Sequence, residues 1–248
     1  MQGVILAAGL AKRLRPLTDT VPKCLLNIGE KNLLHLTIEN LISNDIENFV
    51  VVIGYRENMI KDYIRNNFDI NKFIFLENTD YANNNNSYSL WMTRDYVKED
   101  MFLLDSDILF DKRIIEKLIN SGYDNCLAVD VSKELDEEQI KVKVDGENRI
   151  LEIGKEVDLK SAIGESIGIE KFSKKFLEEM YGILERKIIK ENNVNEFYEV
   201  TFQEILDKGA RPLASNSGNA IYSVDVSEYK CIEIDTVEDY NKAQKIKI

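Results

Sequence analysis

MQGVILAAGLAKRLRPLTDTVPKCLL, residues Met1 to Leu26, reads as a buried strand, a tight loop and a basic segment closed by a Pro-Lys pair. Gly3 to Leu6 is a short apolar run with β-branched residues, as expected of a central parallel strand. Ala7, Ala8 and Gly9 follow at once. Small residues after a strand let a ligand approach the backbone, and the N–H groups of Leu6 to Gly9 can hold phosphate oxygens. Lys12, Arg13 and Arg15 come next, with Lys23 close behind. Cations gathered around a small-residue loop suit a polyphosphate. The plainer alternative is an ordinary strand and turn with solvated Lys and Arg.

The rest of the composition sharpens that contrast. The chain has 248 residues, 44% of them hydrophobic, and a net charge of −12. That is enough for one α/β domain with a full core or for two small domains. An acidic chain is a poor nucleic-acid binder, because the phosphate backbone demands a basic footprint. A local basic cluster on an acidic protein suits a small anionic ligand. No apolar run reaches the roughly 18 residues needed to span a bilayer. Gly3 to Leu10 is too short, and lacks the basic lead, for a secretory leader. Cys24, Cys126 and Cys231 are far apart and odd in number. They read as reduced thiols of a cytoplasmic protein, not as a disulfide set or a zinc site.

Downstream, strand-like and helix-like segments alternate. Asn32 to Ser43 is amphipathic with helical period and carries His35, the only histidine. Without a Ser, Cys or ligand partner pattern, His35 reads as a structural helix residue. Phe49 to Ile53 is a second buried strand, Glu57 to Asn67 a helix and Lys72 to Leu76 a third strand. Such alternation implies a parallel sheet with right-handed crossovers, whose ligands bind beyond the carboxyl ends of the strands. The loop after Leu6 lies at that edge. Asn78 to Leu90, NTDYANNNNSYSL, is a poor helix and a poor strand. Its amides can read a base edge, or it is a solvated loop with Ser87 capping the helix that follows.

Met101 to Asp107, MFLLDSD, is an apolar strand ending in two acids, Asp105 and Asp107. A carboxylate at a strand end beside a triphosphate suits Mg²⁺, and helix capping from Phe110 and Asp111 is the alternative. Asn125 to Asp130 is another strand. Ile140 to Val144 and Arg149 to Ile153 flank Asp145-Gly146-Glu147-Asn148, a hairpin signal placed at a sheet edge. Ala162 to Ile169 reads as a strand returning to the site, where Glu165 could meet a second substrate. Ser173 to Lys190 is a Ser-capped helix, and Asn195 to Lys208 another. Ala220 to Val224 and Cys231 to Ile234 are the last strands. After them Asp235 or Thr236 can cap a final helix.

Gly9, Arg13, Pro16, Leu17, Thr18, Pro22 and Lys23 together resemble the signature of the nucleotidyltransferases that activate phosphorylated sugars and alcohols. Ala11 stands where that pattern has its second glycine, a mild change if φ is negative there, and Lys12 stands where Ser or Thr is usual. The resemblance implies a Rossmann-like α/β fold, a mainly parallel mixed sheet flanked by helices, with a small inserted β-hairpin region in a single domain over residues 1–248. Asn85, Asn86, Ser87, Tyr88, Ser89 and Leu90 resemble the corresponding segment of the phosphocholine and phosphonate cytidylyltransferase branch, which implies that Asn85, Asn86, Ser87 and Ser89 face the nucleotide base. Ser106-Asp107-Ile108 and Glu233-Ile234-Asp235 resemble the segments that carry the metal-binding acids, which puts Mg²⁺ on Asp107 and Asp235. Phe197, Tyr198 and Glu199 are similar to an aromatic-aromatic-Glu of the choline-type members, and rings with a carboxylate suit a cationic head group. A packing cluster with a first-turn acid is the plain reading of the same residues.

The expected reaction is CTP plus a phosphorylated small alcohol or amino alcohol, giving a CDP-alcohol and pyrophosphate. Leu6, Ala7, Ala8, Gly9 and Lys12 would hold the nucleotide. Arg13 would bind the leaving phosphates, and Lys23 the α-phosphate or the incoming phosphate. Glu165, Tyr198 and Glu199 would meet the acceptor. A sugar-1-phosphate uridylyl- or thymidylyltransferase is the alternative, and a binding module without catalysis a more distant one. Phosphocholine, phosphoethanolamine, 2-aminoethylphosphonate, inositol phosphate and phosphoglutamine-like acceptors all stay open, as does a homodimer.

Overall fold

The computed structural model describes residues 1–209 and 219–246. In chain order the first half runs β1 (Gln2–Ala7), β2 (Asn27–Ile28), β3 (Lys31–Asn32), α1 (Leu33–Ile42), β4 (Asn48–Ile53), α2 (Glu57–Asn67), β5 (Phe73–Glu77) and α3 (Asn86–Met92). Then come β6 (Met101–Asp105), β7 (Ile108–Phe110), α4 (Arg113–Asn120), β8 (Cys126–Asp130), β9 (Lys141–Val144), β10 (Ile150–Gly154) and β11 (Gly164–Phe172). α5 (Lys174–Glu185), α6 (Glu199–Gly209), β12 (Tyr222–Asp225), β13 (Cys231–Glu233) and α7 (Val237–Ala243) complete the described elements.

β1 sits inside a mixed sheet because every one of its residues is buried and can pack on both faces. It pairs in parallel with β4 on one side and β6 on the other, with Val4 opposite Val50 and Leu103. β5 extends this half in parallel beyond β4. The strand alternation then divides the apolar residues between two cores. Val4, Leu6, Val50, Val52 and Leu103 join Phe176, Met180, Phe202 and Ile205 of α5 and α6 on one face. Ile5, Val51, Ile53 and Leu104 join Leu34 and Ile38 of α1, Ile60 and Ile64 of α2, and Ile114 and Leu118 of α4 on the other. Helices therefore cover both faces, as an alternating pattern with continuous apolar strands requires.

The second half of the sheet turns antiparallel through β11. This nine-residue strand pairs with β6 along Ile169–Phe172, and also with β8 and β9. Its register on β8 shifts between Ser166 and Glu170. Gly168 lies in that interval at φ +71, and a Cβ there would come 3.0 Å from Asp105 Oδ2. Glycine is thus required both by the bulge and by the close approach of the Asp105 side chain. The expected hairpin forms as β9 and β10, with β10 at the sheet edge.

Two local expectations are corrected. Phe110 and Asp111 do not start a helix: Phe110 ends β7, Asp111 accepts the Arg113 backbone N–H at 3.0 Å, and α4 begins at Arg113. The expected strand at 231–234 forms as β13, paired with β7 in a two-stranded ribbon. Ser87 does not cap α3. Asn85 does, its side-chain oxygen accepting the Asn86 N–H at 2.8 Å, and Ser87 is buried within the first turn. His35 has the structural role read from sequence: its Nδ1 lies 3.0 Å from the Tyr63 hydroxyl and its ring packs on Phe68.

Candidate active site

The loop after β1 opens a cavity of about 320 Å³ at the carboxyl ends of the parallel strands. Leu6, Ala7, Ala8 and Gly9 form its floor, with Arg13 and Lys23 on one side and Asn85, Asn86 and Ser89 on the other. The floor is held from beneath by Gly54, where a Cβ would come 2.7 Å from the Ala8 carbonyl oxygen, and by the Tyr55 N–H, which donates to that oxygen at 3.2 Å. Only glycine allows the second loop to lie this close. Ala11 has φ 46 and ψ 49, the left-handed region. The expectation of a negative φ there is overturned. The pattern's second glycine is a conformational requirement that Ala11 meets with strain, its carbonyl held by the Thr18 hydroxyl at 2.9 Å.

Two further nucleotide-side expectations do not lie in the cavity. Lys12 is exposed and is not among the lining residues, because the turn of Lys12–Leu14 points Leu14 inward instead. Ser87 is buried with its hydroxyl unpartnered among the described residues, away from the lining set. The asparagine loop is also knitted to itself. Asn78 and Asn84 exchange amide bonds at 2.8 and 3.1 Å, and Asn78 donates to Ser89 Oγ at 3.1 Å. Asn86 Oδ1 accepts the Tyr198 backbone N–H at 3.0 Å, tying the loop to the start of α6. Asn78 and Asn84 line the cavity too, although the sequence reading did not single them out.

Asp107 and Asp235 meet because of the β7–β13 ribbon. Glu233 stands opposite Ile108, and the Ile234 N–H donates to the Asp107 carbonyl at 3.0 Å. Thr236 then starts α7 with a reciprocal capping box to Asp239, which fixes Asp235 at the turn. Pro22, in extended conformation, delivers Lys23 into the same place from the other side. Lys23 Nζ donates to Asp107 Oδ2 at 2.8 Å and to Asp235 Oδ1 at 2.7 Å. Arg13 Nη2 donates to Asp235 Oδ2 at 2.5 Å. Burial opposes the charge on Lys23, but the two aspartates outweigh it and its pKa is raised. Burial likewise opposes ionisation of Asp235, yet Lys23 and Arg13 hold its pKa below the usual value.

Glu233 completes a carboxylate triad that the sequence reading had only in part. One ligand oxygen from each of Asp107, Glu233 and Asp235 lies within 4.8 Å of the others. Burial, then Asp107 and Asp235, push the Glu233 carboxyl up to about 8. Strand alternation from Asp235 back to Glu233 puts both on one side, and that signal was available in the sequence. Hard oxygen donors, with Asp107 Oδ1 buried and unpartnered among the described residues, fit a small divalent cation such as Mg²⁺.

Beyond this triad a second cavity of about 240 Å³ continues under β11 and α6. It shares Arg13, Asn86, Asp105, Asp107, Phe197, Glu233 and Asp235 with the first. Glu165 and Glu199 line it, as do Phe197 and Lys155. Glu165 is paired with Lys133. Tyr198 is fully buried and presents no ring face here, since it packs on Phe202 while its hydroxyl donates to Asp105 Oδ2 at 2.9 Å. Phe197, 40% exposed, is the aromatic residue at the wall instead. Glu199 is 7% exposed, has a buried oxygen without a partner among the described residues, and is pushed by burial up to about 7. Glu170 lies behind it, also buried, 3.3 Å from the Tyr198 hydroxyl.

Residues 2–153 match the nucleotidyl transferase family. The chain is 30% identical over 227 residues to the CTP:phosphoglutamine cytidylyltransferase of Campylobacter jejuni, covering 83% of this chain and 88% of that one. It is 25% identical to the choline-phosphate cytidylyltransferase of Streptococcus pneumoniae, over 99% and 98% of the two chains. The solved structure of a CTP:phosphocholine cytidylyltransferase from Streptococcus pneumoniae superposes with a TM-score of 0.78 at 20% identity, over 98% and 97% of the chains, a likeness of fold. With a small-residue loop at the strand ends and a lysine and an arginine set against paired aspartates, the chain belongs to the nucleotidyl transferase family of enzymes.

Proposed function

We propose that the protein joins CTP to the phosphate of a small acceptor carrying a cationic group, releasing pyrophosphate in a Mg²⁺-dependent reaction. The observation that carries this reading is the shared wall of the two cavities. Arg13, Asp107, Glu233 and Asp235 belong to both, so a triphosphate on the β1 loop and an acceptor under α6 would meet at Arg13 and the carboxylates with which Lys23 is paired. The relatives named for CTP support the choice of nucleotide.

The residues have separable tasks. The backbone of Leu6 to Gly9 holds the nucleotide where no side chain blocks it. Arg13 and Lys23 offset the charge of the phosphates. Asp107, Glu233 and Asp235 would hold Mg²⁺, which when bound neutralises phosphate charge and orients the oxygens. A phosphate is already nucleophilic, so alignment of the two substrates is the main demand on the protein.

The acceptor wall is acidic. Asp136, Glu138, Glu165 and Glu199 face two nearby lysines, and both are engaged, Lys155 with Glu138 and Lys133 with Glu165. Glu199 has no cation partner among the described residues, which favours an acceptor that brings its own ammonium group.

The test is pyrophosphate release with Mg²⁺ and CTP, UTP, dTTP or ATP, each paired with phosphorylated amino alcohols, phosphonates, polyols and sugar-1-phosphates. Release with CTP and an ammonium-bearing acceptor is expected. Release confined to UTP or dTTP with a hexose-1-phosphate would overturn both assignments.

A further inference from the structure

We propose that in the nucleotide-free enzyme Lys23, with Arg13, occupies the carboxylate oxygens that a divalent cation needs, so that metal binds tightly only together with the nucleotide triphosphate. The inference rests on the metal assignment proposed for Asp107, Glu233 and Asp235. It adds a role for the two cations before substrate arrives.

Apart from the two oxygens of Glu233, to which neither Lys23 nor Arg13 is bonded, Asp107 and Asp235 offer four. Lys23 takes Asp107 Oδ2 and Asp235 Oδ1, and Arg13 takes Asp235 Oδ2. Asp107 Oδ1 is left, and it is buried. A metal ion arriving alone would have to displace the ammonium of a side chain that is only 11% exposed. Two like charges cannot share those oxygens, because cation–cation repulsion at such distances is strong where water is sparse. A triphosphate changes the balance. It offers both cations new oxygen partners on the floor of the cavity that Arg13 and Lys23 already line. Once they turn to it, both aspartates are free to bind metal. Lys23 is therefore a positioning residue for the metal as well as a phosphate ligand. By linkage, the nucleotide and the metal must each raise the other's affinity by the same factor.

The experiment is a titration of free Mn²⁺, read by electron paramagnetic resonance, with no nucleotide present. Wild type, Lys23→Met, Arg13→Gln and Asp107→Asn are compared, and circular dichroism checks that each variant is folded. Wild type should bind Mn²⁺ weakly. Lys23→Met should bind it about tenfold more tightly, within the usual range of coupling between sites. Arg13→Gln, which changes an exposed side chain and puts no demand on folding, should gain a smaller but measurable factor. If Lys23→Met does not fold, the Arg13→Gln result decides, and no gain there overturns the proposal. Binding that needs Asp107 but is equally tight in wild type and both cation variants overturns it while sparing the metal site. No Asp107-dependent binding in any protein overturns the metal site, and the proposal with it.

Discussion

Replacing Glu199 with Gln should stabilise the protein above neutral pH and leave it unchanged near pH 4. Glu199 enters α6 beneath the acceptor cavity, 7% exposed. The groups that face it are Asp105 from β6, Glu170 from β11, the Tyr198 hydroxyl and the more distant Lys155. Burial raises its carboxyl from the ordinary 4.5 to about 7. An acid whose folded pKa is raised holds its proton longer in the native state than in the unfolded chain. Stability therefore falls as pH rises from the unfolded value to the folded one, then levels off. Over pH 4.5 to 8 that fall is about 3 kcal/mol for Glu199 alone. Glutamine keeps the shape and removes the titration. Any fixed cost of its amide is the same at every pH, so it cancels from the comparison. Urea unfolding of wild type and Glu199→Gln at half-unit steps from pH 4.5 to 8.5 gives the difference directly. A difference that grows by about 3 kcal/mol toward alkaline pH is expected. A difference independent of pH would refute the buried, raised carboxyl. The same variant should bind a cationic acceptor poorly, because the charge that destabilises the empty site is the one the acceptor would meet.

Asp107→Asn should lower kcat by about a hundredfold or more while the thermal melt stays cooperative, as expected when a group that positions phosphate charge is neutralised. A fully active Asp107→Asn enzyme would refute the metal role. Lys23→Ala should lose turnover on a similar scale, and its readout is kcat under saturating CTP. Ala11→Gly relieves a left-handed alanine at the cost of a freer unfolded chain, for a net gain of about 0.5 kcal/mol. Calorimetry should show a Tm higher by about 1 °C. Glu170→Gln should follow Glu199→Gln in direction, gaining stability toward high pH, since burial and then Asp105 and Glu199 raise its carboxyl.

The parallel half of the fold was legible because its signals are local. β1, α1, β4, α2 and β5 follow directly from period and composition, and the predicted Glu57–Asn67 helix has the observed ends. What the sequence did not show is pairing between distant segments. β7 is three residues long and reads as the approach to a helix until β13 comes back to it from over a hundred residues away. Missing that ribbon meant missing Glu233, whose side chain reaches the site only because β13 runs antiparallel to β7. Ser87 misled for a similar reason. Ser before an apolar run is a good cap signal, but Asn85 fills the same role two residues earlier, and its backbone N–H is held by the Val194 carbonyl.

Tyr198 shows the limit of reading residue types as roles. An aromatic beside a glutamate suits a cationic ligand, yet the ring is spent inside the core and only its hydroxyl reaches toward the site, through Asp105. The substitution of roles has a physical logic. Asp105 and Glu170 lie within hydrogen-bond distance of the one phenol hydroxyl, Glu199 carries a third carboxyl beside them, and burial raises the pKa of each. A core optimised for stability would replace them with apolar residues. Asp105 and Glu199 line the second cavity, where the proposed acceptor would bring a positive charge to offset that cost. At the other end of the site the relation is inverted. Lys23 and Arg13 are already paired with the aspartates, so the phosphate side is neutral until a triphosphate arrives to redistribute the cations. The two halves of one cleft thus prepare for their substrates in opposite ways: one stores an exchangeable ion pair, and the other leaves a carboxylate without a partner.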